Sequence, residues 1–428
     1  MERLSTFIHK LPGKLSGISY FWIDTLCIPA YGKNQPELRR VAISKLRDTY
    51  ANATAILVLD SWLLSSKIAS RHDVDILTQI FASHWNRRLW TFQEGALAKS
   101  LYVQFADGAY DVDRGVKRLE LMQDLTLEYT LKPPVFARYF SLRGFKRSAR
   151  GCSMAVKLSA LFAAFRHRQT SNPSDEAICL ATLLELPIEE ILLAPKEEKM
   201  ELMWRLVTRV PRDFVFYTGD TFEQKGLRWA PRTLLRSESN YRGFEEAFAM
   251  TDMDWGDRMP WAEPTQNGLK AWLPGLIFVS IKISMAASIY LEDESGIVYR
   301  FVPTGSQREI SGPRSKPESG GFCSHFYPSY GLVAFILNSE EPNMLEAGLC
   351  HQGLLVAIQK SKPEFISARK LCNGYCVRTS SDGGSGELGM LSKIEPSSRN
   401  LAGLKNPNKI SSAVAARWTK RNTCWVVD

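Results

Sequence analysis

The feature that most constrains the fold is an alternation of strand-like and helix-like segments in the first quarter of the chain. Three nearly continuous apolar runs, each as short as a buried strand, lie at residues 20–28, 53–60 and 101–105. Between them, residues 38–50 and 74–97 carry apolar side chains at helical spacing. This order is typical of an α/β domain with a parallel sheet, because parallel strands need long crossover connections.

The remainder of the chain divides into two regions that differ in the spacing of their apolar residues. From about residue 113 to 206 the apolar positions are dense and follow a helical pattern. Beyond Trp229, β-branched runs such as GIVYRFV, GLVAFIL and GLLVAIQ alternate with Gly, Pro, Ser and Asn, which predicts antiparallel strands. We therefore expect three parts: a partial α/β domain (1–115), a mainly helical region (116–245) and a β-rich region (246–428).

Composition predicts a cytoplasmic protein without a membrane span. Hydrophobic residues make up 45% and charged residues 23%, so the chain can bury a sizeable core. The most lipid-like stretch, residues 273–290, contains Pro274 and Lys282, and a charge at that depth opposes insertion. The eight cysteines are sparse and irregularly spaced, as expected in a reducing compartment.

Positive charge is concentrated between residues 131 and 170, here called the basic segment. It contains nine Lys and Arg residues and no acid, which equals the net charge of +9 of the whole chain. Aromatic residues are interleaved, but no nucleic-acid recognition motif accompanies them, so nucleic acid is not an expected ligand. We expect a basic, partly mobile linker; an acidic protein partner or an anionic lipid surface would also match this charge.

Two tryptophan-centred motifs carry a resemblance to a known family. WIDTLCI (22–28) and RLWTFQE (88–94) resemble the two later motifs of the heterokaryon incompatibility (HET) domain of filamentous fungi, and DTYANATAILVL (48–59) resembles its middle block. RQTSNPSDEAICLATLL (168–184) and GLRWAPRTLL (226–235) resemble blocks that often follow this domain.

The chain departs from the family at its beginning. HET domains usually open with a strand that carries a Ser-Tyr-x-Trp-Gly-like motif, but the residues before Phe21 contain none. We therefore expect this domain to lack its first strand, or the chain to start late.

The resemblance implies a role in fungal nonself recognition, where activation of the HET domain triggers cell death. HET domains also resemble TIR domains, so the resemblance implies a TIR-like, flavodoxin-like parallel sheet, here incomplete. Because some TIR domains cleave the nicotinamide–ribose bond of NAD, NAD is a candidate substrate, with no cofactor expected. The short N-terminus favours a signalling module that acts through self-association or a protein partner; the alternatives are a NAD-cleaving enzyme or a degenerate, inactive member.

Glu94 is the candidate catalytic residue. Trp90 and Glu94 share one face of the predicted helix, which places a carboxylate among apolar side chains. Since an unpaired ionised carboxylate there is costly, Arg87 or Arg88 is the expected partner, and together they would form a pocket. Alternatively, Thr91 and Glu94 form a capping box that only satisfies backbone N–H groups.

Asp24 is the second candidate, in the apolar run that we expect to be a buried strand. Near the carboxyl end of such a strand, an acid can bind a ligand, accept hydrogen bonds from a loop or pair with Arg88. Trp22 and Trp90 are interpreted as core aromatics, with stacking on a base as the alternative. Cys27 is expected to be a buried, inert thiol.

Metal binding is not expected. Cys350 and His351 are adjacent and cannot easily direct both ligand atoms at one ion, and Cys372 and Cys376 lack a second well-spaced pair. The other histidines show no paired spacing, so the sequence does not indicate a hydrolase triad.

Overall fold

A computed structural model describes residues 21–29, 36–122, 132–148, 153–235, 260–279, 289–304, 332–338, 350–378, 414–420 and 422–428. Within it the chain forms two compact units, and residues 212–231 and those from 260 onward make up the second. The predicted boundary after residue 115 lies inside a helix, and the one at residue 246 lies outside the described residues.

The first unit combines a small sheet with many helices. Strands β1 and β2 are parallel, with Ile56 opposite Leu101, and β3 is antiparallel to β2. Its described strands are β1 (Ile56–Val58), β2 (Leu101–Gln104), β3 (Ala109–Asp111) and the two-residue β4 (Val210–Pro211). Its described helices are α1 (Asp24–Cys27), α2 (Pro36–Ser44), α3 (Leu46–Asn52), α4 (Ser61–Leu64), α5 (Asp73–Ala82), α6 (His84–Arg87), α7 (Thr91–Leu97), α8 (Val112–Leu121), α9 (Lys132–Ser148), α10 (Met154–Phe165), α11 (Ser174–Leu184), α12 (Ile188–Leu193) and α13 (Lys199–Leu206).

The core of this unit fixes the position of α7. Phe92, fully buried on α7, meets Phe145 of α9 and Phe165 of α10 edge-to-face, with ring centroids 6.0 and 5.5 Å apart. Such offset pairs add directional attraction to the area that they bury. Gly95 on the same helix allows the side chain of Leu142 to approach closely. Helix α7 therefore packs against both helices of the basic segment.

The prediction of a buried strand at residues 20–28 is wrong. This stretch contains helix α1, in which Asp24 and Cys27 are exposed. The carboxylate of Asp24 accepts hydrogen bonds from the backbone N–H and the hydroxyl of Thr25. Such local bonds compete with strand pairing, which explains why an apolar run became a helical turn here. The expected buried thiol of Cys27 is accordingly exposed.

The prediction that the basic segment is a linker is also wrong. Helices α9 and α10 occupy most of it, and their apolar faces are buried. Arg143, only 8% exposed, donates to the carboxylate of Asp113 at 2.8 Å and to the main-chain oxygens of Gly95 and Ala98. Several charges of this segment are therefore structural.

The second unit is rich in strands, as predicted, and contains the 3₁₀ helix Arg212–Phe216. Among the described strands, β11, β10, β7, β13, β8, β9 and β12 pair in that order, and β12 also pairs with β11, so these seven form a closed sheet. β14, β6 and β5 continue from β12. The strands are β5 (Trp261–Thr265), β6 (Gly268–Trp272), β7 (Gly275–Val279), β8 (Ile289–Glu292), β9 (Val298–Thr304), β10 (Leu332–Leu337), β11 (Cys350–Ser361), β12 (Ile366–Arg378), β13 (Val414–Trp418) and β14 (Cys424–Val427).

Two glycines make room for the aromatic core of this closed sheet. Gly353 and Gly374 lie opposite each other on β11 and β12. A Cβ at Gly353 would overlap the ring of Phe335, and one at Gly374 would overlap the ring of Phe301. The two rings contact each other, with centroids 4.3 Å apart. The paired glycines are therefore what allows two phenylalanines to fill the interior.

The predicted combination of helical and strand-rich regions is thus confirmed. None of the helices in the described ranges has both the length and the apolar character that crossing a bilayer requires.

Candidate functional site

Glu94 lies on α7 and contacts a side chain of the short preceding helix α6. Ser83 caps α6 by accepting from the N–H of Asn86 at 3.3 Å, and this orients Trp85 toward α7. The indole Nε1–H of Trp85 donates to Glu94 Oε2 at 2.8 Å. The Thr91 hydroxyl donates to main-chain oxygens, including that of Arg88 at 2.8 Å, so the capping-box interpretation is wrong.

Burial raises the pKa of Glu94 above its ordinary value. The Trp85 hydrogen bond opposes this rise because it stabilises the ionised form. The charge of Asp24 raises the pKa further, whereas Arg88 and Arg168 lower it. The half-buried carboxyl group is therefore easier to protonate than one in water, although two cations act on it.

Tyr50 of α3 completes the surroundings of Glu94. Burial raises its pKa, and the charges of Glu94 and Asp24 raise it further, so its hydroxyl remains a proton donor at physiological pH. The half-buried indole of Trp22 meets the ring of Tyr50 edge-to-face, with centroids 5.3 Å apart. Residues far apart in sequence thus surround one carboxyl group.

Asp24 and Arg88 border this site without forming the expected contacts. Both side chains are exposed, and their charges act on Glu94 and Tyr50. Among the described residues Arg88 forms no ion pair, and Arg87 donates to the main-chain oxygen of Ala82. The expected Arg–Glu94 salt bridge is therefore absent from the described part of the chain. Trp85, not an arginine, is the direct partner of Glu94.

Arg168 holds the segment that leads to α7. Its guanidinium, 4% exposed, donates to the main-chain oxygen of Arg88 at 2.8 Å and to Asn86 Oδ1 at 3.0 Å. It also lies over the ring of Phe92, 4.8 Å from the centroid. The cation is thus satisfied by oxygens and by an aromatic face, which offsets the cost of its burial. The sequence placed Arg168 in the basic segment and at the start of a block of the resemblance, and neither position predicted this anchoring role.

Two further contacts join α7 and its approach to α11. The Trp90 indole N–H donates to Asp175 Oδ2 at 2.8 Å, and Gln93 Nε2 donates to Cys179 Sγ at 3.3 Å. Trp90 is half-buried, and Gln93 and Cys179 are fully buried. Burial raises the pKa of the Cys179 thiol to about 12, so it is not a nucleophile at neutral pH.

Glu176 on α11 anchors the last of the motif-bearing segments. Its carboxylate accepts from the N–H of Leu234 at 2.6 Å and from the hydroxyl of Thr233 at 2.7 Å. Burial raises its pKa to about 7, and these hydrogen bonds oppose the rise. The segment at residues 232–235 is therefore tied to α11 through one buried carboxyl group.

The structure thus brings Glu94, Asp24, Arg88 and Trp22 into one neighbourhood with Tyr50, while Trp90 instead contacts α11. Sequence analysis missed Tyr50 and Trp85. The weak signal for both was their position, since Tyr50 lies in the middle block of the resemblance and Trp85 precedes the second tryptophan motif.

No group of three or more His, Cys, Asp or Glu side chains in the described ranges is arranged to hold a metal ion. Cys372 and Cys376 belong to the apolar interior of the closed sheet. A scan against protein-family models and searches of curated proteins and of solved structures find no match for this chain.

Proposed function

We propose that the chain is a cytoplasmic nonself-recognition protein of the HET type, whose cell-death output acts through association. The observation that supports this proposal is the meeting of its separated motif blocks. Trp22 packs on Tyr50, the charge of Glu94 acts on Tyr50, and the Trp90 indole donates to Asp175. Motif blocks that act in one functional site must contact one another in the folded chain, as these do.

The parallel pairing of β1 with β2 supports the finer proposal of a TIR-like sheet. Helices α3 and α7, which carry Tyr50 and Glu94, directly precede β1 and β2 in the chain, as the crossover helices of such a sheet do. The sheet of our proposal would comprise these strands.

Exposed apolar side chains at the beginning of the first unit favour association. Phe21, Leu26, Leu38 and Val41, here called the N-terminal apolar face, are each more than half exposed. Leu38 and Val41 lie three residues apart on α2, so they share one helix face. Large apolar side chains that are exposed side by side, as Leu38 and Val41 are, mark interaction surfaces.

A second copy of the chain is the occupant that we propose for this face. Helix α2 carries the acidic Glu37 beside the basic Arg40, so two copies related by a twofold axis can place opposite charges against each other. The apolar side chains between them would then be removed from water.

Expression in a filamentous fungal host tests the proposal. We expect colony growth to be impaired by the wild-type chain and restored by the double substitution Leu38→Glu/Val41→Glu, because two charges would oppose burial of the face. Leu121→Glu is the matched control, since Leu121 is 74% exposed on α8, and it should leave the impairment unchanged. Normal growth at confirmed wild-type protein levels would contradict the proposal.

The environment of Glu94 favours a second candidate, a NAD glycohydrolase. In that reaction the bond between nicotinamide and ribose breaks, a carboxylate stabilises the oxocarbenium-like sugar, and water adds to the sugar carbon and releases a proton. Glu94 would serve as the carboxylate, and the Tyr50 hydroxyl and the charge of Arg88 border it.

Incubation of the purified chain with NAD separates the two candidates. We expect no useful NAD consumption, because burial raises the pKa of Glu94 and so disfavours the ionised carboxylate that the reaction needs. Turnover that Glu94→Gln abolishes and Glu185→Gln retains would favour the enzyme instead.

A further inference from the structure

Asp60 follows strand β1 and is almost completely buried, with 7% of its surface exposed. Val58, the last residue of β1, pairs with Val103 of β2, so Asp60 extends from a fixed strand end. Its Oδ1 atom accepts from the N–H groups of Trp62 at 3.0 Å and of Leu63 at 3.3 Å, which caps α4. This oxygen therefore serves the helix that follows Asp60 directly in the chain.

The second oxygen of Asp60 serves a different helix. Its Oδ2 atom accepts from the backbone N–H of Trp85 at 3.0 Å, in the first turn of α6. Ser83 already caps α6 through the N–H of Asn86, so Asp60 supplies an acceptor for a further N–H group of this turn, which has none within the helix. Two helix N-termini, far apart in sequence, therefore meet at one buried carboxylate.

The main chain of Trp85 is held on both sides. Asp60 accepts from its N–H, and the hydroxyl of Thr91 on α7 donates to its carbonyl oxygen. The indole N–H in turn donates to Glu94 Oε2 at 2.8 Å. Because Trp85 is only 6% exposed, its ring is enclosed and moves with its main chain. The direction of the indole N–H thus depends on where the main chain of Trp85 is held.

We propose that Asp60 is a positioning residue for Glu94, which acts through the main chain of Trp85 to hold the indole N–H on the Glu94 carboxylate. The inference goes beyond the proposed function, because it concerns how this carboxyl group is held and applies equally to a signalling module and to an enzyme. Aspartate suits the task because both of its oxygens are acceptors, whereas asparagine has one acceptor oxygen and an NH₂ group.

Asp60→Asn separates this role from ordinary helix capping. Asparagine caps helices about as well as aspartate, so α4 should keep its cap while the Trp85 N–H faces a donor instead of an acceptor. We expect the pKa of Glu94 to rise, as in Trp85→Phe, and by no more than in that variant. Carboxyl-carbon NMR titration measures it. A direct electrostatic effect has the opposite sign, because removing a negative charge lowers the pKa of a nearby carboxyl group.

The double variant Asp60→Asn/Trp85→Phe tests whether Asp60 acts through the indole. If it does, Asp60→Asn should cause no further rise in the pKa of Glu94 once the indole N–H is gone, so the two effects are not additive. Asp111→Asn is the matched control. Asp111 caps α8 by accepting from the N–H of Arg114 at 2.9 Å, and its replacement should leave the pKa of Glu94 unchanged.

Asp60→Ser keeps the proposal testable if Asp60→Asn fails to fold. A serine hydroxyl also caps helices, but its single oxygen replaces two separate acceptors, so we expect the same rise. None of these titrations involves fungal growth or NAD, so their result is independent of the tests of the proposed function. An unchanged or lowered Glu94 pKa in a folded variant, or an equal further rise in the Trp85→Phe background, would overturn the positioning role.

Discussion

The indole N–H of Trp85 donates a 2.8 Å hydrogen bond to the carboxylate of Glu94. This bond opposes the effect of burial, which by itself favours the protonated acid. Desolvation, this neutral donor and the nearby charged side chains together therefore set the charge of the group at the centre of the site.

Replacing Trp85 by phenylalanine should raise the pKa of Glu94 further, because the donor that stabilises its ionised form is lost. The free energy of unfolding should fall by about 1–3 kcal/mol. Carboxyl-carbon NMR titration measures the first effect and chemical denaturation the second. Trp90→Phe is the control: it removes an indole that donates to Asp175, so the pKa of Glu94 should stay as in the wild type. An unchanged Glu94 pKa in Trp85→Phe would contradict this interpretation.

Arg168→Met should destabilise the first unit by about 3 kcal/mol, because the main-chain oxygen of Arg88 and the amide oxygen of Asn86 lose a charged donor. Arg168→Lys should recover only part of this, since an ammonium cannot reproduce the guanidinium fork. Urea denaturation compares both with Arg87→Met, an exposed arginine that donates to one carbonyl. A loss no larger than that of Arg87→Met would count against the anchoring role.

Glu176 should make stability fall as the pH rises. Its pKa is about 7 in the folded chain and ordinarily 4.5, so between these values the folded chain binds more protons than the unfolded chain. Glu176→Gln should flatten this dependence in denaturation series over that pH window. Glu185 is the opposite case, since Lys157 and Arg47 lower its pKa and its contribution disappears as the pH falls. Identical pH profiles for wild type and Glu176→Gln would show that Glu176 does not titrate there.

Gly353→Ala should destabilise the closed sheet by about 2 kcal/mol or more, because the added methyl group overlaps the ring of Phe335. Gly144→Ala provides the contrast. A Cβ added at residue 144 would meet nothing within 4 Å, and the position lies within α9. This substitution should therefore raise the free energy of unfolding by about 0.5–1 kcal/mol. Thermal unfolding of both variants measures the difference, and equal melting temperatures would refute the steric explanation.

Sequence periodicity predicted the elements whose stability is local or whose apolar pattern is regular. Helix α5 buries Val74, Leu77 and Ile80 as their spacing indicates, and β2 begins at Leu101 as predicted. The prediction of a strand at residues 20–28 was wrong because an apolar run does not reveal whether a neighbouring strand is available to pair with it. The Asp24 carboxylate instead accepts from the adjacent backbone N–H of Thr25.

The site was predictable only in part. Glu94 could be identified from the sequence because it is a carboxylate within an apolar stripe. Its contact with Trp85 could not, because the turn between α6 and α7 determines which side chain reaches Glu94. Tyr50 and Arg168 reach the site through packing between distant segments, and an arginine in a basic run carries no local sign of burial. Such relationships follow from tertiary structure rather than from spacing.

Sedimentation equilibrium of the purified chain tests association most directly. We predict a dimer for the wild type and for Leu121→Glu, and a folded monomer for Leu38→Glu/Val41→Glu, with unchanged circular dichroism in all three. A wild-type chain that remains monomeric up to the highest soluble concentration, or a double variant that dimerises as strongly as the wild type, would contradict the proposed self-association.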